Sequence, residues 1–231
     1  MDLREQMSEA VPRPAVYLLD AEPRDLHSLS QLLADAGFDA VACRSAAAFF
    51  ASFKPDRIGC LVLDLALGDA DGLAIQQEIC DRGLTLPLVF LSGCRDVSTG
   101  VRAMKAGALD FLVKPVDSDA LLMAVRAGIA LDLARRLVAT EERRLMEQLE
   151  TLTRREQEVL PYLVSGMCTK QIAGVLGVVE KTVKVHKSHV KEKLGTRSMP
   201  EFVRLADRLL SLPRAPALRR LDVEDRFTRT G

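Results

Sequence analysis

Ile58-Gly59-Cys60-Leu61-Val62-Leu63-Asp64-Leu65 is an apolar run of strand length interrupted near its end by an acid. A Val/Leu/Ile-rich run without polar alternation reads as a strand buried on both faces. Such strands belong to parallel sheets covered by helices. In open sheets of that kind the chemistry lies just beyond the carboxyl ends of the strands. Asp64 occupies that place, and Ala66-Leu67-Gly68-Asp69-Ala70-Asp71-Gly72 behind it is loop and helix-start chemistry. Asp64 is then either a functional carboxylate at the sheet rim or a plain cap for the next helix. The remaining strand ends decide between the two.

Upstream, Ala15-Val16-Tyr17-Leu18-Leu19-Asp20 repeats the pattern of an apolar strand ending in an acid. Leu26, Leu29, Leu32 and Leu33 recur at helical spacing between about Pro23 and Ala36, and Gly37 stops that helix. A short strand is expected near Ala40–Cys43, and a helix capped by Ser45 runs to about Phe53. Downstream come a helix over Gly72–Cys80, a strand over Leu86–Ser92, a helix over Ser98–Ala106 and a strand over Ala108–Val113 that leads into Lys114-Pro115. Five alternations of strand and helix imply parallel pairing through right-handed crossovers.

The strand ends are Asp20, Asp64, Ser92 and Lys114, and in a doubly wound sheet they meet at one rim. Two carboxylates suffice for Mg²⁺, which keeps several waters and takes few protein ligands. Beside such a cation Asp64 can attack a phosphoryl group and become an aspartyl phosphate. Ser92 can hydrogen-bond one phosphoryl oxygen and Lys114 can pair with another as a point charge. Taken singly, each residue has a dull explanation; together, at successive strand ends, they point to phosphoryl chemistry.

Over about residues 14–130 this constellation resembles the receiver domain of two-component response regulators. The resemblance implies Asp64 as phospho-acceptor, Ser92 as the switch hydroxyl, Phe111 as the switch aromatic, and Lys114-Pro115 as a Lys-Pro pair usually joined by a cis peptide bond. The run Ala103-Met104-Lys105-Ala106-Gly107-Ala108 is also typical of it. Asp20 and Asp64 are the implied Mg²⁺ ligands. Receivers usually carry two adjacent acids at the first strand end, and here Ala21 fills the second place. That loss is expected to weaken Mg²⁺ binding, with Glu22 next in line to reach in. Leu67-Gly68 replaces the usual Met-Pro, which removes a rigid turn element.

The formal net charge of zero hides a split. Residues 12–118 hold ten Lys/Arg against fourteen Asp/Glu, and residues 151–210 hold eleven against six. An acidic half and a basic half suggest two domains with different partners, the basic one suited to nucleic acid. Five cysteines, odd in number and without a C-x-x-C pair, suit a reducing compartment. His186 and His189 alone are a weak metal signal. No apolar run approaches the ~18 residues of a membrane span, and the polar start lacks a signal-peptide core, so a cytoplasmic protein without membrane contact is expected. Between the halves, about Asp119 to Glu150 reads as helix. Leu131, Val138, Leu145 and Leu152 recur every seven residues, the pattern of a coiled-coil seam that would help pair two chains.

In the basic half, Thr153 and Glu156 form a capping-box pattern ahead of a helix. A second helix covers about Thr169–Leu176, Gly177 makes a tight turn, and a third covers about Glu180–Leu194. Two short helices about a glycine turn form a helix-turn-helix, whose second helix enters the major groove. Leu152-Thr153-x-Arg155-Glu156-x-Glu158-Val159-Leu160, Lys170-x-Ile172-Ala173, Thr182-Val183-Lys184-Val185-His186 and Lys193-Leu194 resemble the LuxR-type DNA-binding domain. With the receiver ahead of it, the chain resembles the NarL/FixJ family of response regulators. The resemblance implies Lys184, Val185 and Ser188 at base edges, and Lys170, Thr182, Lys187, Lys191 and Arg197 at phosphates. It departs at Val179, where a better capping residue is usual, leaving Glu180 to serve.

The expected architecture is therefore α/β plus all-α. A doubly wound, five-stranded parallel-sheet receiver of flavodoxin-like type spans 14–130. A helical linker spans 131–150, a four-helix helix-turn-helix domain (its last helix near Met199–Leu210) spans 151–210, and a mobile tail spans 211–231. The expected function is a transcriptional regulator switched by phosphorylation of Asp64 and dimerisation. Its implied partners are double-stranded DNA, a sensor histidine kinase, RNA polymerase and a second copy of the chain. The rival suggested by Ala21 is a DNA-binding regulator whose receiver does not depend on ordinary Mg²⁺-assisted phosphorylation. A phosphohydrolase is disfavoured, because Asp69-x-Asp71 lies too far along the loop to give Asp64 a partner acid.

Overall fold

Every residue of β1 (Ala15–Leu19) and β3 (Gly59–Asp64) is buried, as strands covered on both faces require. The computed structural model describes residues 13–67, 70–93, 97–196, 198, 201, 202, 204 and 205. In chain order, β1 is followed by α1 (Pro23–Asp35), β2 (Asp39–Cys43), α2 (Ala46–Ser52), β3, and the two-residue strands β4 (Ala66–Leu67) and β5 (Ala70–Asp71). Then come α3 (Gly72–Asp81), β6 (Leu88–Ser92), α4 (Val97–Lys105), β7 (Asp110–Val113) and α5 (Ser118–Glu150). The last described helices with full bounds are α6 (Arg154–Val164), α7 (Thr169–Leu176) and α8 (Glu180–Lys193). The chain divides into two compact units, and the division falls inside α5, between Arg136 and Leu137.

The first unit is a five-stranded sheet in the order β2-β1-β3-β6-β7, parallel throughout. Alternate residues of each strand point to opposite faces, and both faces are filled. Tyr17, Leu19, Leu61, Leu63 and Phe90 pack with Phe49 of α2, Ile75 and Ile79 of α3 and Ala103 of α4. Val16, Leu18, Val62 and Leu91 pack on the other face with Leu26 and Leu33 of α1 and Leu121 and Val125 of α5. This explains why the strands read as unbroken apolar runs. The hairpin of β4 and β5 was not foreseen; Ala66 pairs with Asp71 and Leu67 with Ala70, antiparallel. Gly72 follows it because an added Cβ would lie 2.9 Å from the Asp64 carbonyl oxygen, so only glycine lets α3 begin that close to β3.

On its second face the sheet also anchors α5. Asp132, buried, accepts from the Gly59 N–H at 2.9 Å and pairs with Arg136 at 2.8 Å. Arg136 in turn donates to the Arg57 carbonyl at 2.9 Å. Burial, and then the nearby Asp132 charge, push the Cys60 thiol up to about 12, so this cysteine stays a neutral thiol.

The second unit gathers Leu145, Leu152, Val159, Leu160, Leu163, Ile172, Ala173, Val183, Val190, Leu194 and Phe202 into one core. Two of the four residues read as a coiled-coil seam, Leu145 and Leu152, are therefore spent on this core. Only Val138, with the neighbouring Leu133 and Leu137, is exposed. At Leu145 and Leu152 the seven-residue spacing serves packing within the chain, which it fits as well as it fits a partner. Of the helix expected at 199–210, Glu201, Phe202, Arg204 and Leu205 are described and helical. Arg197 and the expected tail at 211–231 lie outside the described residues.

Candidate functional site

Parallel strands in register bring their last residues to one edge. Leu19 pairs with Leu63, so Asp20 stands next to Asp64; Asp64 pairs with Leu91, and Ser92 with Val113. The four expected residues thus meet at the carboxyl ends of β1, β3, β6 and β7, beside the switch point between β1 and β3. Asp20, Asp64 and Ser92 are buried, at 3%, 7% and 2% exposure. Lys114 reaches over them. Its Nζ donates to Asp20 Oδ2 at 2.8 Å and to Asp64 Oδ2 at 3.0 Å. Its backbone N–H donates to the Ser92 carbonyl at 2.8 Å, and the Lys114-Pro115 peptide bond is cis. Burial alone would lower the Lys114 pKa, but hydrogen bonds to Asp20, Asp25 and Asp64 outweigh it and hold the ammonium above its ordinary value.

The third carboxylate on Lys114 is Asp25, at 2.7 Å, and the sequence reading missed it. Glu22, expected to reach in, is exposed and touches the site through its backbone N–H, which donates to Asp20 Oδ1 at 2.8 Å. Asp25 sits in the first turn of α1, which begins with Pro23. A helix that follows a strand end starts over the rim, so an acid in its first turn was the available signal. Phe111 is half-buried on β7, its ring centroid 6.4 Å from that of Phe90 and its edge near Gly100 of α4.

Among the described residues no three His, Cys, Asp or Glu side chains are gathered tightly enough to hold a metal ion. The ammonium of Lys114 takes the point that the carboxylates share. Mg²⁺ needs only one or two carboxylates when waters complete its octahedron. Asp20 and Asp64, side by side with oxygens on one nitrogen, meet that lesser requirement.

In the second unit, α7 ends at Gly177 in the left-handed region (φ 65°), and the Val178 N–H closes the turn on the Ala173 carbonyl at 3.0 Å. A non-glycine residue pays about 1 kcal/mol or more in that conformation. Val183 and Val190 turn inward, which leaves Lys184, Val185 and Ser188 on the exposed face of α8. Lys170 is exposed, and Thr182, Lys187 and Lys191 are half-buried along the flanks. Val179 occupies the N-cap of α8 without a side-chain cap, and Glu180 opens the first turn. His186 is half-buried, and His189 Nδ1 lies 3.4 Å from Glu156 Oε1.

Glu156 does more than close its capping box with Thr153. It accepts from the Thr153 N–H at 2.8 Å and from Lys193 Nζ at 2.6 Å. Burial would raise its pKa, but these bonds hold the carboxyl down at about 2. Lys193 also donates to the Thr151 carbonyl at 3.0 Å. The start of α6 is thereby tied to the end of α8, which fixes the direction of the exposed helix face.

Known proteins share both halves. The response regulator receiver domain family matches residues 16–126, and the luxR family of bacterial regulatory proteins matches residues 150–206. The response regulator protein TodT of Pseudomonas putida is 36% identical over 84% of this chain and 86% of its own length. The transcriptional regulatory protein FixJ of Rhizobium meliloti is 34% identical, covering 83% and 94%. Among solved structures, the response regulator StyR aligns with a TM-score of 0.78 at 37% identity, over 85% of this chain and 99% of that one. Full-length FixJ from B. japonicum aligns with a TM-score of 0.53 at 28% identity, over 85% and 97%.

Proposed function

We propose, for a chain that belongs to the two-component response regulators with a receiver and a LuxR-type DNA-binding domain, that its switch is phosphorylation of Asp64. The observation that carries this reading is Lys114 Nζ, 3.0 Å from Asp64 Oδ2 at a rim shared with the buried Ser92. An oxygen of Asp64 attacks the phosphorus of a phosphohistidine on a sensor kinase. The new O–P bond forms as the P–N bond breaks, and the electron pair leaves with the imidazole. Lys114 then turns one N–H to a phosphoryl oxygen, and Ser92 donates to another. Phe111 follows Ser92, and the face made by α4, β7 and α5 repacks. Receivers use Mg²⁺, and here Asp20 and Asp64 would hold it. When bound it would neutralise charge on the transferring group. With Ala21 in place of an acid the affinity is lower than in receivers with two adjacent acids.

The output is DNA binding by α8. Lys184, Val185 and Ser188 meet base edges in the major groove, where lysine donates to guanine and Val185 touches a thymine methyl. Lys170, Thr182, Lys187 and Lys191 hold phosphates, with Arg197 as a further contact. Two chains paired after phosphorylation would set two α8 helices about one helical turn apart on an operator. The remaining assignments are a cytoplasmic protein that engages RNA polymerase and is not itself an enzyme, with functional bounds at 14–130, 131–150 and 151–210.

Incubation with acetyl phosphate and Mg²⁺ followed by intact-mass measurement tests the switch. A phosphoryl adduct on the wild type that Asp64→Asn abolishes is the expected result. Unmodified wild-type protein that still binds DNA would favour a receiver working without phosphorylation.

A further inference from the structure

Lys114 is held by one more carboxylate than phosphoryl transfer alone calls for. A lysine ammonium has three N–H donors, and three acceptors meet them: Asp25 Oδ2 at 2.7 Å, Asp20 Oδ2 at 2.8 Å and Asp64 Oδ2 at 3.0 Å. The nearest of the three lies not at a strand end but in the first turn of α1. That helix is fixed to the sheet by Leu26, next to Asp25, and by Leu33, both buried. Asp25 is thus carried by a helix packed on the sheet, and not by the strand that ends in Asp64.

The difference matters when Asp64 reacts. As its oxygen bonds to phosphorus and the donor departs with the electron pair of the broken bond, Asp64 ceases to be a carboxylate anion. The ammonium loses that acceptor and must find a phosphoryl oxygen instead. Held by Asp20 and Asp25, it keeps two of its three bonds and redirects only the third. Held by Asp20 alone, it would swing on a flexible four-carbon stem, and the charge would no longer be placed in advance for the transition state.

We propose that Asp25 is a positioning residue for phosphoryl transfer, acting through Lys114, whose Nζ it fixes over the acceptor carboxylate. The proposal rests on Asp64 being the acceptor. It also gives Ala21 a counterpart. Three carboxylates against one ammonium leave two net negative charges at the rim, although position 21 contributes none.

The test uses the full chain with ¹⁵N-labelled lysine. The side-chain ammonium resonance of Lys114 is identified by its loss in Lys114→Met. Phosphoryl uptake from acetyl phosphate is followed by intact mass over a series of Mg²⁺ concentrations. Asp25→Asn is expected to shift or broaden the Lys114 resonance and to slow uptake about tenfold at saturating Mg²⁺, less than the roughly 10²-fold that a full 1 Å misplacement can cost, because Asp20 still holds the ammonium. Asp25→Glu should recover most of the rate, and Asp35→Asn, at the far end of the same helix, should change neither reading. An unchanged rate, or an unchanged Lys114 resonance, in Asp25→Asn overturns the proposal and leaves Asp64 as acceptor. A rate loss that vanishes at saturating Mg²⁺ makes Asp25 a metal-binding group and likewise overturns it. A wild-type chain that takes up no phosphoryl group overturns the acceptor reading, and the role of Asp25 with it.

Discussion

Alanine at position 21 and glutamate at position 156 show how much one carboxylate matters in opposite settings. At the sheet rim a carboxylate is missing from the place where receivers usually hold a second acid. Replacing Ala21 by Asp should tighten Mg²⁺ binding on the order of tenfold, since ligand charge count tunes such sites, and isothermal titration with MgCl₂ reads this directly. Glu156 is the reverse case, a buried acid fully engaged. Its pKa is about 2 in the folded chain against an ordinary 4.5. A depressed folded pKa contributes stability above the unfolded value and loses it as the pH falls through the folded one. The thermal transition of the helix-turn-helix unit should therefore drop as pH falls from about 4.5 to about 2. In Glu156→Gln that drop should flatten, and the transition at pH 7 should be lower. Differential scanning calorimetry across that range checks both. The sequence made the capping box of Thr153 and Glu156 plain, because its partners lie three residues apart. It could not reveal Lys193, which only the fold brings to Glu156.

At the scale of elements, local pattern was informative wherever one segment answered to itself. The strands were legible because burial on both faces leaves no polar alternation to confuse them. The helix-turn-helix was legible because Gly177 punctuates it. Two elements were incompletely read, and both for want of knowledge of neighbours. Asp25 went unread, because only the fold brings the first turn of α1 onto Lys114. Leu145 and Leu152 looked like a seam until a core was found to claim them. The α5 helix also carries a constraint that propensity would not suggest. Gly128 is a poor helix former, yet an added Cβ would lie 2.6 Å from Cys60 Sγ. Gly128→Ala should therefore destabilise the receiver by about 1–3 kcal/mol despite its better propensity, as overpacking does. Urea denaturation followed by circular dichroism measures it. A gain in stability would show that α5 can shift off β3 without loss.

For the molecule as a whole, the split of charge accords with a different partner for each half. On the proposed function the carboxylate-rich rim of the acidic half takes a cation and a phosphoryl group, and the lysines of the basic half meet DNA. Binding through phosphate contacts weakens with salt, with a slope of about −0.9 per phosphate neutralised. Lys191→Ala should reduce that slope by about one unit and weaken binding to all sequences alike. Lys184→Ala, at the proposed base edge, should instead relax the preference among operator sequences. Electrophoretic shifts at several KCl concentrations, on specific and scrambled duplexes, separate the two effects. Equal behaviour of both variants would mean that the two lysines share one role.

The hook formed by Asp132 has a practical consequence for where the chain can be cut. Asp132 and Arg136 tie α5 to Gly59 and Arg57, at the end of the sheet opposite Asp64. A shortened chain ending at Ala130 would leave the buried Gly59 N–H without its acceptor, a loss of about 1–3 kcal/mol for an unpaired buried group. A chain ending a few residues later, after Leu137, keeps the hook whole. Expressed side by side, the longer fragment should melt several degrees higher and resist protease longer, although it adds only one turn or two of helix to the shorter.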